Sequence, residues 1–131
     1  MFVRLLTGQQ WNWTITLIIA AVVVVIFILK RIDQISPKDA VAYLKNGAMV
    51  IDVRSPGEFN FAHLPNAINL PLGEIESVLP RRVKDKNQVL LLHCHSGMRS
   101  GMAKRKLKVL GYANAFNLGS YGRAERILSG R

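Results

Sequence analysis

The sequence predicts an α/β domain with a mainly parallel central sheet flanked by helices, preceded by one transmembrane helix. Two observations predict it: an uncharged apolar run near the amino terminus, and after it short strand-like runs that alternate with helical patterns. With 131 residues there is room for one domain and a small appendage, which excludes a multidomain enzyme. Half the residues are apolar and mean hydropathy is positive, which excludes a disordered chain despite a net charge of 18 − 8 = +10. The single cysteine excludes an intramolecular disulfide and any zinc site built on two or four sulfurs.

Residues 14–29, TITLIIAAVVVVIFIL, carry no charge, and with Trp11 and Trp13 the run approaches the ~20 residues a bilayer core requires. The tryptophans suit an interfacial belt, and Lys30 and Arg31 stop the other end with charges. A cleaved signal peptide is the rival reading, but the run ends in KRIDQ without a small-x-small cleavage site. A buried core helix would show a polar stripe at 3.6-residue spacing, and none is present. The chain is therefore divided into a short tail at 1–12, a membrane helix at 13–31 and a soluble domain at 32–131. Arg4 stands alone before the helix, whereas Lys30, Arg31, Lys38 and Lys45 follow it, so the domain is expected to face the cytoplasm as a single-pass membrane protein. A reducing compartment would also keep a lone thiol free.

In the domain, Ser36-Pro37-Lys38-Asp39 reads as an N-cap, a proline at the first helical position and an acidic residue at the third, opening a helix to about Leu44 that Gly47 ends. Residues 48–53 and 89–93 are buried-strand runs. Between them lie a loop, a short strand at 67–70 and a helix at 72–79 before Pro80. Residues 100–110 have helical spacing with Ala103, Leu107 and Leu110 on one face, ending at Gly111. A last strand over 113–118 and a closing helical turn over 124–128 complete the pattern.

The chemistry concentrates in VLLLHCHSGMRSGMAKRKL, where Cys94 lies just past a hydrophobic strand and a tight loop leads into a helix near Ser100. α/β sheets put ligands at this carboxyl end. Successive loop N–H groups and the helix N-terminus form a concavity that favours an anion, so with Arg99 nearby the Cys94 thiol should ionise more readily and act as a nucleophile. Gly97 permits backbone geometry that a Cβ would obstruct. A lone cysteine is usually a small buried hydrophobe, but the flanking His, Ser, Gly and Arg argue against that here.

CHSGMRS followed by a helix resembles the active-site loop of rhodanese-type sulfurtransferases, and IDVRSPGEFNFAHLPNAINLPL resembles that family's upstream segment, Cys94 lying 94 − 52 = 42 positions after Asp52. The resemblance runs from Ile35 to the end. Ala62 and Asn66 stand where glycines are common, and Ser120 and Tyr121 replace a frequent Gly-Gly pair. The resemblance implies that Cys94 takes a sulfane sulfur as a persulfide and hands it to an acceptor. His95, Ser96, Gly97, Met98, Arg99 and Ser100 would form the substrate loop, with N–H groups of 95–99 on the anionic sulfur, Arg99 on a donor such as thiosulfate, and Ser100 capping the helix. It also implies that Asp52 and Arg54 lie near the loop, Asp52 as a brace and Arg54 in a buried or half-buried ion pair, or both purely structural. Glu58 and His63 look like loop-fixing residues.

His95 either assists binding and proton balance or points to solvent. A metal on His93, Cys94 and His95 is not expected, because adjacent strand residues point to opposite faces. No cofactor is expected. A cysteine phosphatase would carry its loop arginine one position further on, where Ser100 stands. The net charge of +10 invites nucleic acid, yet much of it flanks the apolar run or falls in the 104–108 cluster, which attraction to membrane lipid headgroups explains more simply. The expected partners are thus a small anionic sulfur donor, a thiol acceptor such as a thioredoxin-like protein or small thiol, and lipid, with no nucleic acid. The non-enzymatic alternative is a membrane-tethered interaction module of the same fold, which would survive Cys94→Ser.

Overall fold

The computed structural model describes residues 2–130, with side chains described from Asn12 onward. The chain divides into two units, Met1–Ile32 and Asp33–Arg131.

The first unit is helical from Phe2, and its helix α1, Phe2–Asp33, ends on the first residue of the second unit. Its stretch Asn12–Asp33 has 22 residues, long and apolar enough to cross a membrane, since at about 1.5 Å per residue it exceeds the ~30 Å of a hydrocarbon core. Its apolar side chains from Trp13 to Leu29 are exposed. The residues before the apolar run are helical from Phe2, because once a helix is nucleated each further residue costs only propagation and no proline interrupts this one. At its other end α1 runs past the expected residue 31 to Asp33, before Pro37 biases Ser36 to extended backbone.

The second unit contains α2 (Pro37–Lys45), β1 (Met49–Asp52), α3 (Pro56–Phe61), β2 (Ile68–Asn69), α4 (Ile75–Arg82), β3 (Leu90–Cys94), α5 (Met98–Val109), β4 (Ala115–Ser120) and α6 (Tyr121–Ser129). The strands form one parallel sheet in the order β2-β1-β3-β4. Side-chain alternation along β3 divides the core. Leu90, Leu92 and Cys94 pack with Ile75 and Leu79 of α4 and Ala103 and Leu107 of α5, whereas Leu91 packs with Ala40 of α2 and Ala124, Ile127 and Leu128 of α6. Burial on both faces explains why VLLLH is continuously apolar rather than alternating.

Both helices between β1 and β3 differ from the sequence expectation. The loop after β1 contains α3, opened by Ser55-Pro56-Gly57-Glu58: Ser55 accepts from the Glu58 N–H and the Glu58 carboxylate reaches back to Ser55. This is the signature that also opens α2, where Ser36 accepts from Asp39, so the signal was present in the sequence. The helix expected at 72–79 lies at 75–82 and passes through Pro80. Proline there removes only its own i−4 bond, and the Val83 N–H still closes the last turn on Leu79 at 2.8 Å. Asn66 has φ +62°, a left-handed conformation that asparagine tolerates. Ser120 caps α6 by accepting from the Arg123 N–H.

The parallel register between β3 and β4 slips by one residue, His93 pairing with Gly119 while Leu92 pairs with Asn117. Gln34 bridges to Asn117, and the Ile35 N–H donates to its carbonyl at 2.9 Å, so this short segment covers the outer edge of β4. Tyr112 is fully buried, and its hydroxyl donates to the Val83 carbonyl at 2.7 Å. Tyr112→Phe leaves that carbonyl unsatisfied and should lower stability by about 1–2 kcal/mol; circular dichroism melting of the full chain in detergent measures this, and an unchanged Tm contradicts it.

Candidate active site

The sheet delivers Cys94 as the last residue of β3, and α5 starts four residues later at Met98. Gly97 is the N-cap of α5, with φ +90°. That left-handed turn aims the Gly97 N–H back at the Cys94 Sγ, 3.0 Å away, and a side chain there would be strained. Ser100 is not the cap expected from sequence. Because the helix starts two residues earlier, Ser100 is its third residue and faces inward, fully buried, with Oγ 3.6 Å from Sγ. His95, Ser96 and Met98 are exposed over this pocket, while Gly97 and Cys94 are buried.

Burial of the sulfur opposes ionisation, but hydrogen bonds from the Ser100 side chain and the N–H groups of Ser100, Gly97 and Ser96 outweigh it and hold the thiol below its ordinary range. The field of the loop therefore does what the sequence reading shared with Arg99. Arg99 itself turns to Glu58 of α3, with Nη1–Oε1 at 2.7 Å and Nη2–Oε2 at 2.9 Å. This forked pair, together with the Ser55 cap, brings the Glu58 carboxyl down to about 2, although both side chains remain about a third exposed and the pair contributes modestly to stability. Its effect is to tie the start of α5 to α3.

Asp52 is fully buried and Arg54 nearly so, with Nε and Nη2 of Arg54 on the Asp52 carboxylate at 2.7–3.0 Å. Arg54 also donates to the Ala62 carbonyl at 2.6 Å and lies 4.8 Å over the Tyr121 ring. The expected brace from Asp52 to the Cys94 loop takes another form: its carboxylate is spent on Arg54, and its approach to β3 is to His93 Nε2 at 3.8 Å. His93 is buried on the α6 side against Tyr121, opposite to Cys94, and burial favours its neutral form. His63 stacks on Phe59 and contacts its carbonyl, at the end of α3.

Sequence reading missed Asn117 and Asp33. The Asn117 carboxamide, 2% exposed, receives the Ser100 hydroxyl at 2.7 Å and donates to the Gly97 carbonyl at 3.0 Å and to Asp33 Oδ2 at 3.0 Å. An asparagine inside the apolar strand AFNLGS was the available signal, since strands disfavour it without a partner.

The hydrogen bonds at the sulfur favour the charged form, so removing one must move the thiol upward. Ser100→Ala should raise the midpoint of Cys94 alkylation against pH, leaving less thiolate at neutral pH, while the native midpoint lies below that of a free cysteine. A midpoint unchanged by Ser100→Ala would remove the hydroxyl from the account.

The chain is 39% identical over 69 residues to the thiosulfate sulfurtransferase PspE of Escherichia coli, covering 53% of this chain and 66% of that protein. It is 37% identical over 71 residues to the putative sulfur carrier protein YrkF of Bacillus subtilis, covering 53% of this chain but only 36% of that one. A solved structure of a rhodanese with anions from E. coli superposes with a TM-score of 0.57 at 35% identity, over 59% of this chain and 91% of its own. Residues 36–122 match the family model of the rhodanese-like domain, and the chain belongs to that family.

Proposed function

We propose that this protein is a membrane-anchored, single-pass sulfurtransferase with its domain in the cytoplasm and Cys94 as the persulfide-carrying nucleophile. The observation that carries the reading is a buried cysteine whose sulfur meets the Gly97 N–H at 3.0 Å, at a strand-to-helix junction built to hold negative charge. The similarity to a thiosulfate sulfurtransferase and to a rhodanese solved with anions supports it.

The Cys94 thiolate attacks the outer sulfur of an anionic donor such as thiosulfate, a Cys–S–S bond forms, the donor S–S bond breaks, and sulfite leaves with the electron pair. The loop N–H groups then hold the terminal persulfide anion. A thiolate acceptor, from a small thiol or a thioredoxin-like protein, or cyanide attacks that outer sulfur, the persulfide bond breaks, and the Cys94 thiolate is restored. Arg99 keeps its charge in the pair with Glu58 and offers its outward N–H groups to the donor. Asp52 and Arg54 support the strand ends beneath the site, and no cofactor takes part.

Mass spectrometry of the full chain in detergent tests the reaction. Thiosulfate should add one sulfur, about 32 Da, to the native chain but not to Cys94→Ser, and cyanide or a thiol should remove it. No adduct from thiosulfate or any persulfide donor, on a folded and reduced chain, sinks the enzymatic reading in favour of a tethered interaction module.

The anchor reading rests on the exposed apolar stretch Asn12–Asp33 and on the cations that follow it. Of the basic cluster on α5, Lys104 and Lys106 are engaged by Asp33 and Glu76, so Arg105 and Lys108 are the cations offered to lipid headgroups. In cell fractionation the chain should stay in carbonate-washed membranes, and added protease should remove the domain only after permeabilisation. Release of a chain lacking residues 1–31 indicates a signal peptide, and cleavage in intact cells reverses the orientation.

A further inference from the structure

We propose that Asp33 and Asn117 are positioning residues of the Cys94 site: the carboxylate that ends the apolar helix locks the buried carboxamide that holds Gly97 and Ser100 against the sulfur. The proposal rests on the sulfur-transfer reading but concerns residues outside the motif that carries it.

Asn117 has two donor hydrogens and two acceptor positions on its carboxamide, and all four are used. Oδ1 accepts from the Ser100 hydroxyl at 2.7 Å and from the Gly119 N–H at 2.9 Å, while Nδ2 donates to the Gly97 carbonyl and to Asp33 Oδ2, both at 3.0 Å. Three of these partners fix the way the amide faces: the Asp33 carboxylate and the Gly97 carbonyl can only accept, and the Gly119 N–H can only donate, so together they turn the oxygen to Ser100. Asp33 is the one of the three that is a side chain, and its charge-assisted bond adds to the lock that the two backbone groups begin. With the amide turned over, an NH₂ group would meet the Gly119 N–H and an oxygen would meet both the Gly97 carbonyl and the Asp33 carboxylate.

The two residues that Asn117 holds both reach the sulfur. Gly97 donates to Sγ through its own N–H, and its carbonyl is the one Asn117 holds. Ser100 has a single hydroxyl hydrogen, directed at Asn117 Oδ1 from 2.7 Å with Sγ 3.6 Å away, so its oxygen is already beside the sulfur and needs only to rotate when the thiol ionises. Asp33 is in turn held by Lys104 Nζ at 2.9 Å. Gly101, fully buried, leaves room for this arrangement: a Cβ there would lie 2.7 Å from Asp33 Oδ2 and 3.3 Å from Asn117 Nδ2.

The test uses the full chain in detergent and reads the midpoint of Cys94 alkylation by iodoacetamide against pH, because a loosened loop changes access and the absolute rate with it. Asp33→Ala removes the acceptor and should raise the midpoint by about half a pH unit or more and lower kcat/KM for thiosulfate by about fivefold. Asp33→Asn keeps an acceptor oxygen without the charge and should return both to native values or carry the midpoint slightly below. Gly101→Ala, which displaces the carboxylate without removing it, should match Asp33→Ala and add nothing in the double variant. A midpoint at or below native in Asp33→Ala shows that Asp33 acts only as a repelling charge or a tether for Lys104 and overturns the proposal, as does full additivity of Asp33→Ala and Gly101→Ala. Alkylation reads the thiol itself, so the predicted shifts in a chain that takes no sulfur from thiosulfate would support the positioning role while sinking the transferase reading alone.

Discussion

Everything at this site depends on offsetting what burial costs a charged sulfur. Burial penalises the thiolate, and the neighbouring cation, Arg99, is turned to Glu58 rather than to the sulfur. What offsets the penalty is a set of small dipoles: the N–H groups of Ser96, Gly97 and Ser100, fixed by the backbone, and the Ser100 hydroxyl held beside the sulfur. Dipoles of this kind stabilise an anion only if they cannot turn away, which shifts the structural burden from the nucleophile to whatever holds the loop. The strand end, the left-handed Gly97, the α3 tie through Glu58 and the carboxamide of Asn117 all serve that end.

The sheet makes this possible by alternation. Cys94 and His93 are neighbours in sequence but belong to opposite faces, one against α5 and the other against Tyr121 of α6. The buried Asp52–Arg54 pair serves the second face. Removing one partner of such a pair commonly costs about 3–5 kcal/mol, so these residues matter to the fold without touching the sulfur.

The parallel α/β architecture was legible because buried strands such as VLLLH and amphipathic helices write different periods into the chain. The strand-to-helix junction at Cys94 was legible because Cys, Gly, Arg and Ser stand together after a hydrophobic strand. Ser100 was assigned to the wrong helical position because a glycine N-cap leaves no side-chain signature, and Gly97 could equally have been a loop residue. The α3 helix was missed although its capping box is explicit, since six residues carry too little periodicity to stand out. The tie between Arg99 and Glu58 was not legible because the two lie 41 positions apart, and Asn117 and Asp33 were invisible for the same reason. Contacts that cross the fold are set by packing, and one chain read in order does not display them.

That Cys94 is the sole cysteine has a consequence for turnover. Under the proposed transfer reaction no second thiol of this sequence could take a sulfur loaded on Cys94, so discharge would be bimolecular and the kinetics would follow a double displacement in which donor and acceptor alternate. The same arithmetic applies to damage. A sulfenic acid formed on Cys94 by peroxide cannot be captured as an internal disulfide, and its rescue depends on an outside thiol arriving before further oxidation makes the loss permanent.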